Sequence, residues 1–269
     1  MDDFALFDDN KSILYEDLYK IQILLGNKGL SISEAKLKLP SESNSYYLEK
    51  DDTKVELLKI RENLLQDYDE IDDDNQISLT AEQRDLILDL LSNDPITEED
   101  AELILTLMRE QWEDVFDQIS GIAFEYPNLA KSCYNFFQHV EDKESVALAI
   151  LQRVKAGEHL TEYQLFWMAK MCEDFLMETK VTGKLLHQLY EHRSATDISR
   201  AKILEIKSSK YGLPELRRPN LRNGSSTWLS WCAAIGSLAE VKASRNHYLK
   251  YFKKGSIIND LIAKVISGL

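Results

Sequence analysis

The sequence is poor in cysteine, with only three among its 269 residues. Cys133, Cys172 and Cys232 lie far apart and form no C-x-x-C pair. A disulfide framework needs several cysteines that can pair, and a cysteine-based zinc site needs them clustered, so the sequence predicts neither. We interpret the three residues as buried thiols of a protein in a reducing compartment.

Long apolar runs are also missing from the sequence. A helix that spans a bilayer needs about 20 consecutive apolar residues, and no run approaches that length. The first residues show neither the basic segment nor the apolar segment of a secretory signal. We therefore expect a cytoplasmic protein with no membrane partner.

The glycine-rich motifs of several large enzyme classes are absent as well. The sequence has no G-x-x-x-x-G-K-[ST] phosphate loop, no G-x-G-x-x-G dinucleotide fingerprint and no G-x-S-x-G nucleophile turn. Nothing in it therefore points to phosphate-loop NTPase, dinucleotide-dependent or α/β-hydrolase chemistry.

Positive charge is scarce overall and concentrated at one end. The formal net charge is −14, from 32 basic and 46 acidic residues. Residues 200–269 hold thirteen of the basic residues and four of the acidic ones, a surplus of nine positive charges. A local surplus of this kind is typical of a surface that binds polyanions, and the alternative is a solvated basic face with no ligand.

The first 78 residues divide into two predicted regions. In residues 1–45, an apolar run at 4–7, helix-spaced apolar residues from Ile13 to Leu25 and alternation from Leu30 predict a strand, a helix and a strand. The helix is expected to end at Gly26 or Gly29, since glycine suits a left-handed cap. Residues 46–78 predict an acidic linker with one short helix at 55–66.

Residues 79–200 predict a helical body. Thr80, Thr97 and Thr161 are each followed three residues later by Gln or Asp, a spacing typical of a capping box at a helix N-terminus. From Ile104 to Ile119, apolar residues form a single stripe over about four turns. Further helices are expected to start near residues 128, 143, 182 and 196. This spacing favours stacked helical hairpins, as in HEAT-like arrays, and an irregular bundle is the alternative.

Residues 201–269 predict a basic helical region that could grip nucleic acid. Residues 211–231 mix arginines with Gly, Pro and Asn, and the helix-like segment that follows interleaves basic residues with His247, Tyr248 and Tyr251. Cations can bind phosphates while rings stack on bases. The alternative is an amphipathic helix whose lysines extend past its own core. The candidate binding residues are Arg217, Arg218, Arg222, Arg245, Lys250, Lys253 and Lys254.

A family resemblance gives the N-terminal region a possible chemistry. The segments MDDFALF and LLGNKGLSISEAKLKL resemble the end of a reverse transcriptase palm, where motif C is aromatic-x-Asp-Asp and motif D contains L-x-x-x-G-L with a lysine seven residues after the glycine. Met1 falls on the x of motif C, and the aromatic residue that should precede it is absent from the sequence. Leu25, Gly29, Leu30 and Lys36 occupy the motif D positions. The resemblance covers about the first forty residues, and the helical remainder more loosely resembles the C-terminal regions of bacterial defence-type reverse transcriptases, such as the abortive-infection group.

The resemblance implies an RNA-directed DNA polymerase with two-metal nucleotidyl transfer. In the intact enzyme Asp2 and Asp3 would bind Mg²⁺, and Lys36 would act as general acid for the departing pyrophosphate. The partners would be an RNA template and a DNA product. The fold class expected is mainly α, with a short α/β remnant of a palm before a HEAT-like or irregular helical domain.

The sequence lacks the fingers and motifs A and B, which would supply another metal ligand and the nucleotide pocket. We therefore expect the chain to be inactive alone, and to be a truncated reading frame, an incomplete gene model or the second half of a split enzyme that needs its N-terminal half as a partner. The alternative is a non-catalytic α-helical scaffold whose acidic body binds a partner protein.

Overall fold

The computed structural model describes residues 11–26, 55, 57–60, 62, 79–92, 97–156 and 160–269, with side chains not described at a few of these positions. The pattern of contacts divides the chain into two units, Met1–Asp52 and Thr53–Leu269. The two strands predicted in the first unit, and most of the predicted acidic linker, lie outside the described residues.

Within the first unit, the predicted helix is confirmed as α1 (Lys11–Gly26). Gly26, the last described residue of α1, is the first of the two glycines expected to end it. Ile13, Tyr19 and Leu24 are exposed on this helix.

All regular structure in the described part of the second unit is helical, so the mainly α fold class is confirmed there. Residues 55, 57–60 and 62 belong to α2. Short 3₁₀ turns at Pro127–Leu129 and Ser237–Ala239 separate some of the helices. The remaining helices are α3 (Ala81–Ser92), α4 (Glu98–Leu107), α5 (Trp112–Glu125), α6 (Ala130–His139), α7 (Lys143–Lys155), α8 (Glu162–Asp174), α9 (Thr182–Glu191), α10 (Asp197–Glu205), α11 (Leu213–Arg222), α12 (Trp228–Gly236), α13 (Lys242–Phe252) and α14 (Ile257–Gly268).

The three predicted caps are present at the starts of α3, α4 and α8. At Thr161 the hydroxyl accepts a hydrogen bond from the Gln164 N–H while the Gln164 side chain accepts one from the Thr161 N–H, a complete capping box. Thr80 and Gln83 make the same reciprocal pair. At Thr97 the hydroxyl accepts from the Asp100 N–H. These bonds satisfy N–H groups that have no partner inside the helix.

The apolar stripe from Ile104 to Ile119 belongs to two helices rather than one. α4 ends in a hydrogen bond from the Met108 N–H to the Ile104 carbonyl, and α5 begins at Trp112. Met108, Val115 and Ile119 are all fully buried. The interruption lets both helices direct their apolar residues into the same core, which spacing along the sequence alone could not reveal.

Helices in the second unit pack on the next helix but one. One row runs through α4, α6, α8, α10, α12 and α14, each in contact with the next. A second row begins with α3, α5, α7 and α9, and α11 packs on α13. Consecutive helices such as α8 and α9, or α11 and α12, also touch. Most helices therefore contact both a sequence neighbour and the helix two positions away.

Two hydrophobic clusters fill the described part of the second unit. The first core, between Leu57 and Leu213, contains large side chains such as Phe136, Phe137 and Leu186. The second core is smaller, and its buried residues are Ala201, Leu204, Leu221, Cys232, Ala233, Ala234, Leu249, Phe252, Ala263 and Ile266. α10 contributes to both cores, since Ile203 belongs to the first and Leu204 to the second.

Asn259 links several elements around the second core. Its side chain accepts a hydrogen bond from the Trp231 indole at 2.9 Å and donates to the carbonyls of Phe252 and Ser225, each at 3.0 Å. This buried amide therefore ties α14 to α12, to the end of α13 and to the loop before α12. A buried amide with its partners in place fixes the positions of all of them.

All three cysteines are buried and free, so the interpretation of them as buried thiols is confirmed. Burial raises the pKa of Cys133 to about 12 and that of Cys232 to about 12, the nearby Glu205 adding to the latter effect. Both thiols therefore stay protonated at neutral pH. No helix in the described part of the chain is long and apolar enough to cross a membrane.

Candidate nucleic-acid interface

The predicted site residues fall into two groups in the structure. Asp2, Asp3 and Lys36 lie outside the described residues. The seven predicted binding residues all lie on or directly after α11 and α13, two helices that pack on each other.

α11 forms in a segment whose glycine and prolines predicted a broken structure. Gly212 precedes it with φ of 71°, in the left-handed region that glycine tolerates, and Pro214 lies in the first turn, where a missing N–H costs nothing. Pro219 lies inside the helix. Arg218 and Arg222 are one turn apart and therefore lie on the same side of α11.

Tyr248 of α13 lies close to both of these arginines. The Arg218 guanidinium is 5.5 Å from the centre of the Tyr248 ring and the Arg222 guanidinium is 5.6 Å from it. Both distances are within the range of a cation–π contact. Arg218 also pairs with Glu215 at 3.0 Å, whereas Arg222 stays exposed.

The solvent-exposed side of α13 carries further cations and aromatic rings. Successive residues of a helix are about 100° apart around its axis, so positions three, four and seven residues apart share one side. The residues on this side are His247, Lys250, Tyr251 and Lys254. The His247 and Tyr251 rings lie 5.4 Å apart, and the Lys254 ammonium is 6.0 Å from the Tyr251 ring.

We define the basic-aromatic surface as Arg218, Arg222, His247, Tyr248, Lys250, Tyr251 and Lys254. Within the described part of the chain, Arg222, Lys250 and Lys254 form no ion pair. Lys253 is exposed beside them and is likewise without one there. By contrast, Lys202 pairs with Glu173 and Glu205, each at 2.6 Å. The positive charges of Arg222, Lys250, Lys253 and Lys254 therefore have no acidic partner within the described part of the chain.

Arg217 does not belong to this surface, which corrects the sequence prediction. Its side chain is 0% exposed and donates hydrogen bonds to the carbonyls of Leu204, Ile206 and Ser208. Glu240 lies 3.6 Å from the guanidinium. Burial lowers the pKa of Arg217, and Glu240 acts in the opposite direction. The guanidinium is already used inside the fold and cannot reach a phosphate in this conformation.

Arg245 is also in the interior, with 6% of its surface exposed. It lies on the side of α13 that carries the buried Leu249 and Phe252, away from Lys250 and Tyr251. Its placement in the predicted binding surface is therefore corrected as well.

The spacing of apolar residues along each helix distinguishes Arg217 and Arg245 from the other predicted binding residues. Arg217 lies four residues from both Leu213 and Leu221, which are buried, and Arg245 lies four residues before Leu249. Arginines at such positions share the core side of a helix. The sequence analysis grouped the arginines by charge and did not apply this test.

The described residues do not assemble a metal centre, since no group of three or more His, Cys, Asp or Glu residues among them could hold an ion. Comparisons with models of protein families, with curated proteins and with solved structures find no match to the chain. The functional argument therefore rests on the residues of the chain itself.

Proposed function

We propose that the chain binds single-stranded nucleic acid through the basic-aromatic surface. The observation that carries this proposal is the combination of Arg222, Lys250 and Lys254, which have no acidic partner in the described part of the chain, with the exposed or half-exposed rings of Tyr248 and Tyr251. Neither the charges nor the rings alone would favour this class of ligand.

Single strands fit this surface because they offer both a phosphate backbone and accessible base faces. The cations contact successive phosphates, and a ring such as Tyr251, which is 40% exposed, stacks on a base. A duplex keeps its base faces stacked inside and would use the charges alone. The acidic remainder of the chain repels phosphates and confines binding to this end.

We further propose that this binding serves an RNA-directed DNA polymerase of the bacterial antiviral type, of which the chain is the C-terminal portion. The support is the resemblance of its first forty residues to motifs C and D. In the intact enzyme Asp2 and Asp3 hold Mg²⁺, Lys36 donates a proton to pyrophosphate, and the basic-aromatic surface holds template or product. Stacking of helices on the next but one supports a HEAT-like body after a palm remnant.

The binding proposal is tested by titrating the chain into a fluorescently labelled single-stranded RNA and measuring anisotropy at several salt concentrations. Each phosphate contact contributes about 0.7 to the slope of log affinity against log salt. The triple variant Arg222→Gln, Lys250→Gln, Lys254→Gln is expected to bind more weakly and to reduce that slope by about 2.

A matched control removes three positive charges elsewhere. Lys59→Gln, Lys131→Gln, Lys180→Gln changes exposed lysines outside α11 and α13. It is expected to keep the slope of the unchanged chain. Equal slopes for the two triple variants would show that only net charge matters and would overturn the assignment of the surface. Absence of salt-dependent binding by the unchanged chain would favour the scaffold alternative.

The ring contribution is tested separately with Tyr251→Leu, which keeps an apolar side chain and removes the stacking face. Loss of stacking to one base is expected to weaken binding by about 1–3 kcal/mol at unchanged salt slope. An unchanged affinity would reduce the site to a purely electrostatic one.

The polymerase proposal is tested in an enzyme in which this chain is joined to a palm that carries motifs A and B. Asp2→Asn and Asp3→Asn are each expected to abolish Mg²⁺-dependent primer extension without changing RNA binding. Extension that survives both substitutions would overturn the metal-ligand assignment and would leave the binding proposal standing.

A further inference from the structure

Trp228 presents a large ring to solvent at the start of α12. It is the first residue of this helix, and 58% of its surface is exposed. Its ring meets the ring of Trp231 edge to face, with the two ring centres 6.4 Å apart. Exposure alone indicates little, because single apolar residues are common on protein surfaces. What Trp228 can bind therefore depends on the residues around it.

Hydrogen bonds restrain the segment that carries this ring. The Trp231 indole N–H donates to the buried Asn259 side chain at 2.9 Å, and the same amide donates to the carbonyl of Ser225, in the loop before α12. The Thr227 hydroxyl caps α12 by accepting from the Ser230 N–H. An aromatic ring held in one place loses little conformational entropy on binding, which favours stacking against another flat ring.

The loop between α11 and α12, residues 223–227, packs against the end of α13. Gly224 lies in this loop with φ of 62°, and a Cβ atom built on it would lie 3.1 Å from the carbonyl oxygen of Tyr251. Tyr251 belongs to the basic-aromatic surface. The loop that leads into Trp228 therefore begins in contact with a residue of that surface.

A second contact joins the two regions. The hydroxyls of Ser226 and Ser256 are hydrogen-bonded at 2.9 Å. Lys254 lies two residues before Ser256, and Trp228 lies two residues after Ser226. The path from Lys254 to Trp228 is thus four Cα-to-Cα steps, about 15 Å at most, plus the width of one bonded serine pair. Nucleotides of a stacked strand are about 3.4 Å apart, so a site of ordinary length, about 4–16 nucleotides, reaches both residues.

The charges along this path favour a polyanion. Arg222 precedes the loop and Lys253 and Lys254 follow α13, and within the described part of the chain none of the three forms an ion pair. Residues 223–236 contain no charged side chain. A phosphate backbone that runs from Lys254 to Trp228 therefore meets no carboxylate on this segment.

We propose that Trp228 is a further stacking residue for the single strand that the basic-aromatic surface binds. The strand passes from Tyr251 and Lys254 across residues 223–227, and one of its bases stacks on the exposed indole. This inference rests on the proposed binding of single-stranded nucleic acid and extends it, since the site then requires an unpaired base beyond the basic-aromatic surface. A duplex, whose base faces are covered, gains nothing from Trp228.

The affinity test titrates the full chain into a labelled single-stranded RNA of about 16 nucleotides and measures anisotropy. Trp228→Leu is expected to weaken binding by about fivefold to 150-fold, the loss of one stacked base, whereas Trp228→Phe keeps a ring and is expected to retain most of the affinity. Tyr163→Leu, which removes an exposed ring of α8, is the matched control and is expected to change nothing. Equal losses for Trp228→Leu and Trp228→Phe would overturn the stacking role.

Tryptophan fluorescence reports the contact itself. The chain has four tryptophans, and Trp112, Trp167 and Trp231 are half-buried. A base stacked on the exposed Trp228 is expected to quench part of the emission when the same RNA is added. Trp228→Phe is expected to bind the RNA without that part of the quenching. Identical quenching in the two proteins would place the bound strand away from Trp228 and overturn the inference.

The path across the loop is tested by adding one negative charge to it. Asn223→Asp changes an exposed amide in the loop and is expected to weaken RNA binding by up to about fivefold at low salt, an effect that salt removes. Gln138→Glu, an exposed amide of α6, is the control and is expected to have no effect. Equal effects of the two changes would contradict this path.

The outcomes separate this inference from the proposed function. RNA binding that is lost with Arg222→Gln, Lys250→Gln, Lys254→Gln but unaffected by Trp228→Leu would overturn the role of Trp228 and leave the basic-aromatic surface standing. Absence of RNA binding by the unchanged chain would overturn both.

Discussion

The two cores of the second unit are stabilised in different ways. Among the described residues, four of the 34 buried side chains of the first core are alanine, against four of ten in the second. The first core fills its interior with leucine, isoleucine and phenylalanine. The second brings helices close together on small residues and adds buried polar groups. Stability in the first therefore follows from apolar volume, and in the second from close approach and hydrogen bonding.

Gly236 shows how closely α10 and α12 approach each other in the second core. A Cβ atom built on this glycine would lie 2.0 Å from the Leu204 carbonyl oxygen and 2.5 Å from Nε of Arg217. The same arginine, on α11, donates to the carbonyl of Leu204 in α10 and to the carbonyl of Ser208 after it. α10 and α12 can therefore pack at this distance only because residue 236 lacks a side chain.

Substitution of Arg217 is the test with the largest expected effect, because it removes buried hydrogen bonds on which the second core depends and the first does not. Arg217→Leu removes the donor for three buried carbonyls and leaves Glu240 without its cation, so we expect the free energy of unfolding to fall by about 3–5 kcal/mol. Urea denaturation measures the change. Arg222→Leu on the exposed side of the same helix is the control and is expected to change stability little. Equal effects of the two substitutions would mean that the second core does not depend on its buried guanidinium.

A methyl group at Gly236 is the next test. Gly236→Ala forces the Leu204 backbone and Arg217 to move, and we expect a loss of about 3 kcal/mol, as in severe overpacking. Gly121→Ala in α5, whose added methyl would lie 3.8 Å from the Arg153 side chain of α7, is expected to be neutral or to stabilise by up to about 1 kcal/mol. Thermal unfolding of the two variants measures both effects. A tolerated Gly236→Ala would contradict the close approach of α10 and α12.

The first core is expected to tolerate a change of shape. Leu186→Met keeps the side-chain volume at a fully buried position, so we expect a loss below about 1.5 kcal/mol and an unchanged dependence of unfolding on urea. The measurement is the same urea titration. A loss as large as that of Gly236→Ala would show that the first core is no more adaptable than the second.

The smallest expected effect concerns an ion-pair network beside the first core. Asp174 of α8 accepts hydrogen bonds from Tyr134 and Lys170, each at 2.6 Å. Burial acts to raise the pKa of Asp174, and the two hydrogen bonds together with the positive charges of Lys170 and Lys202 outweigh it, so the pKa lies below its ordinary value of 3.8. A lowered folded-state pKa contributes stability above the unfolded pKa, and that contribution is lost as pH falls through the folded value.

We therefore expect Asp174→Asn to be less stable than the unchanged chain at pH 6 and the difference to vanish in strong acid. Urea titrations at several pH values measure it. Asp117→Asn, an exposed change on α5, serves as the control and is expected to show no such convergence. A difference that stays constant down to the lowest pH would show that Asp174 acts through packing rather than charge.

Local signals predicted the starts of helices well. Thr80, Thr97 and Thr161 cap helices as expected, and the helices predicted near residues 143, 182 and 196 begin within one residue of those positions. The break between α4 and α5 was missed, because Met108 and Trp112 continue the apolar spacing through it. Capping is decided by neighbouring residues, whereas the break depends on what the two helices pack against.

The candidate site was predicted in part. Sequence placed basic and aromatic residues at the C-terminal end, and the structure brings Arg218 and Arg222 of one helix onto Tyr248 of another. Arg217 and Arg245 were wrongly included because charge was counted without regard to the buried side of each helix.

The sequence by itself determined that the described chain is helical, where most helices begin, and that positive charge gathers after residue 200. These properties depend on the hydrogen-bonding, spacing and charge of residues close together in the chain. Tertiary structure alone decided which arginines stay in solvent, which glycine must lack a side chain, and which tryptophan remains exposed. Each of those outcomes depends on contacts between helices that are distant in sequence. Where two such helices approach each other, some side chains become buried and others remain exposed to solvent.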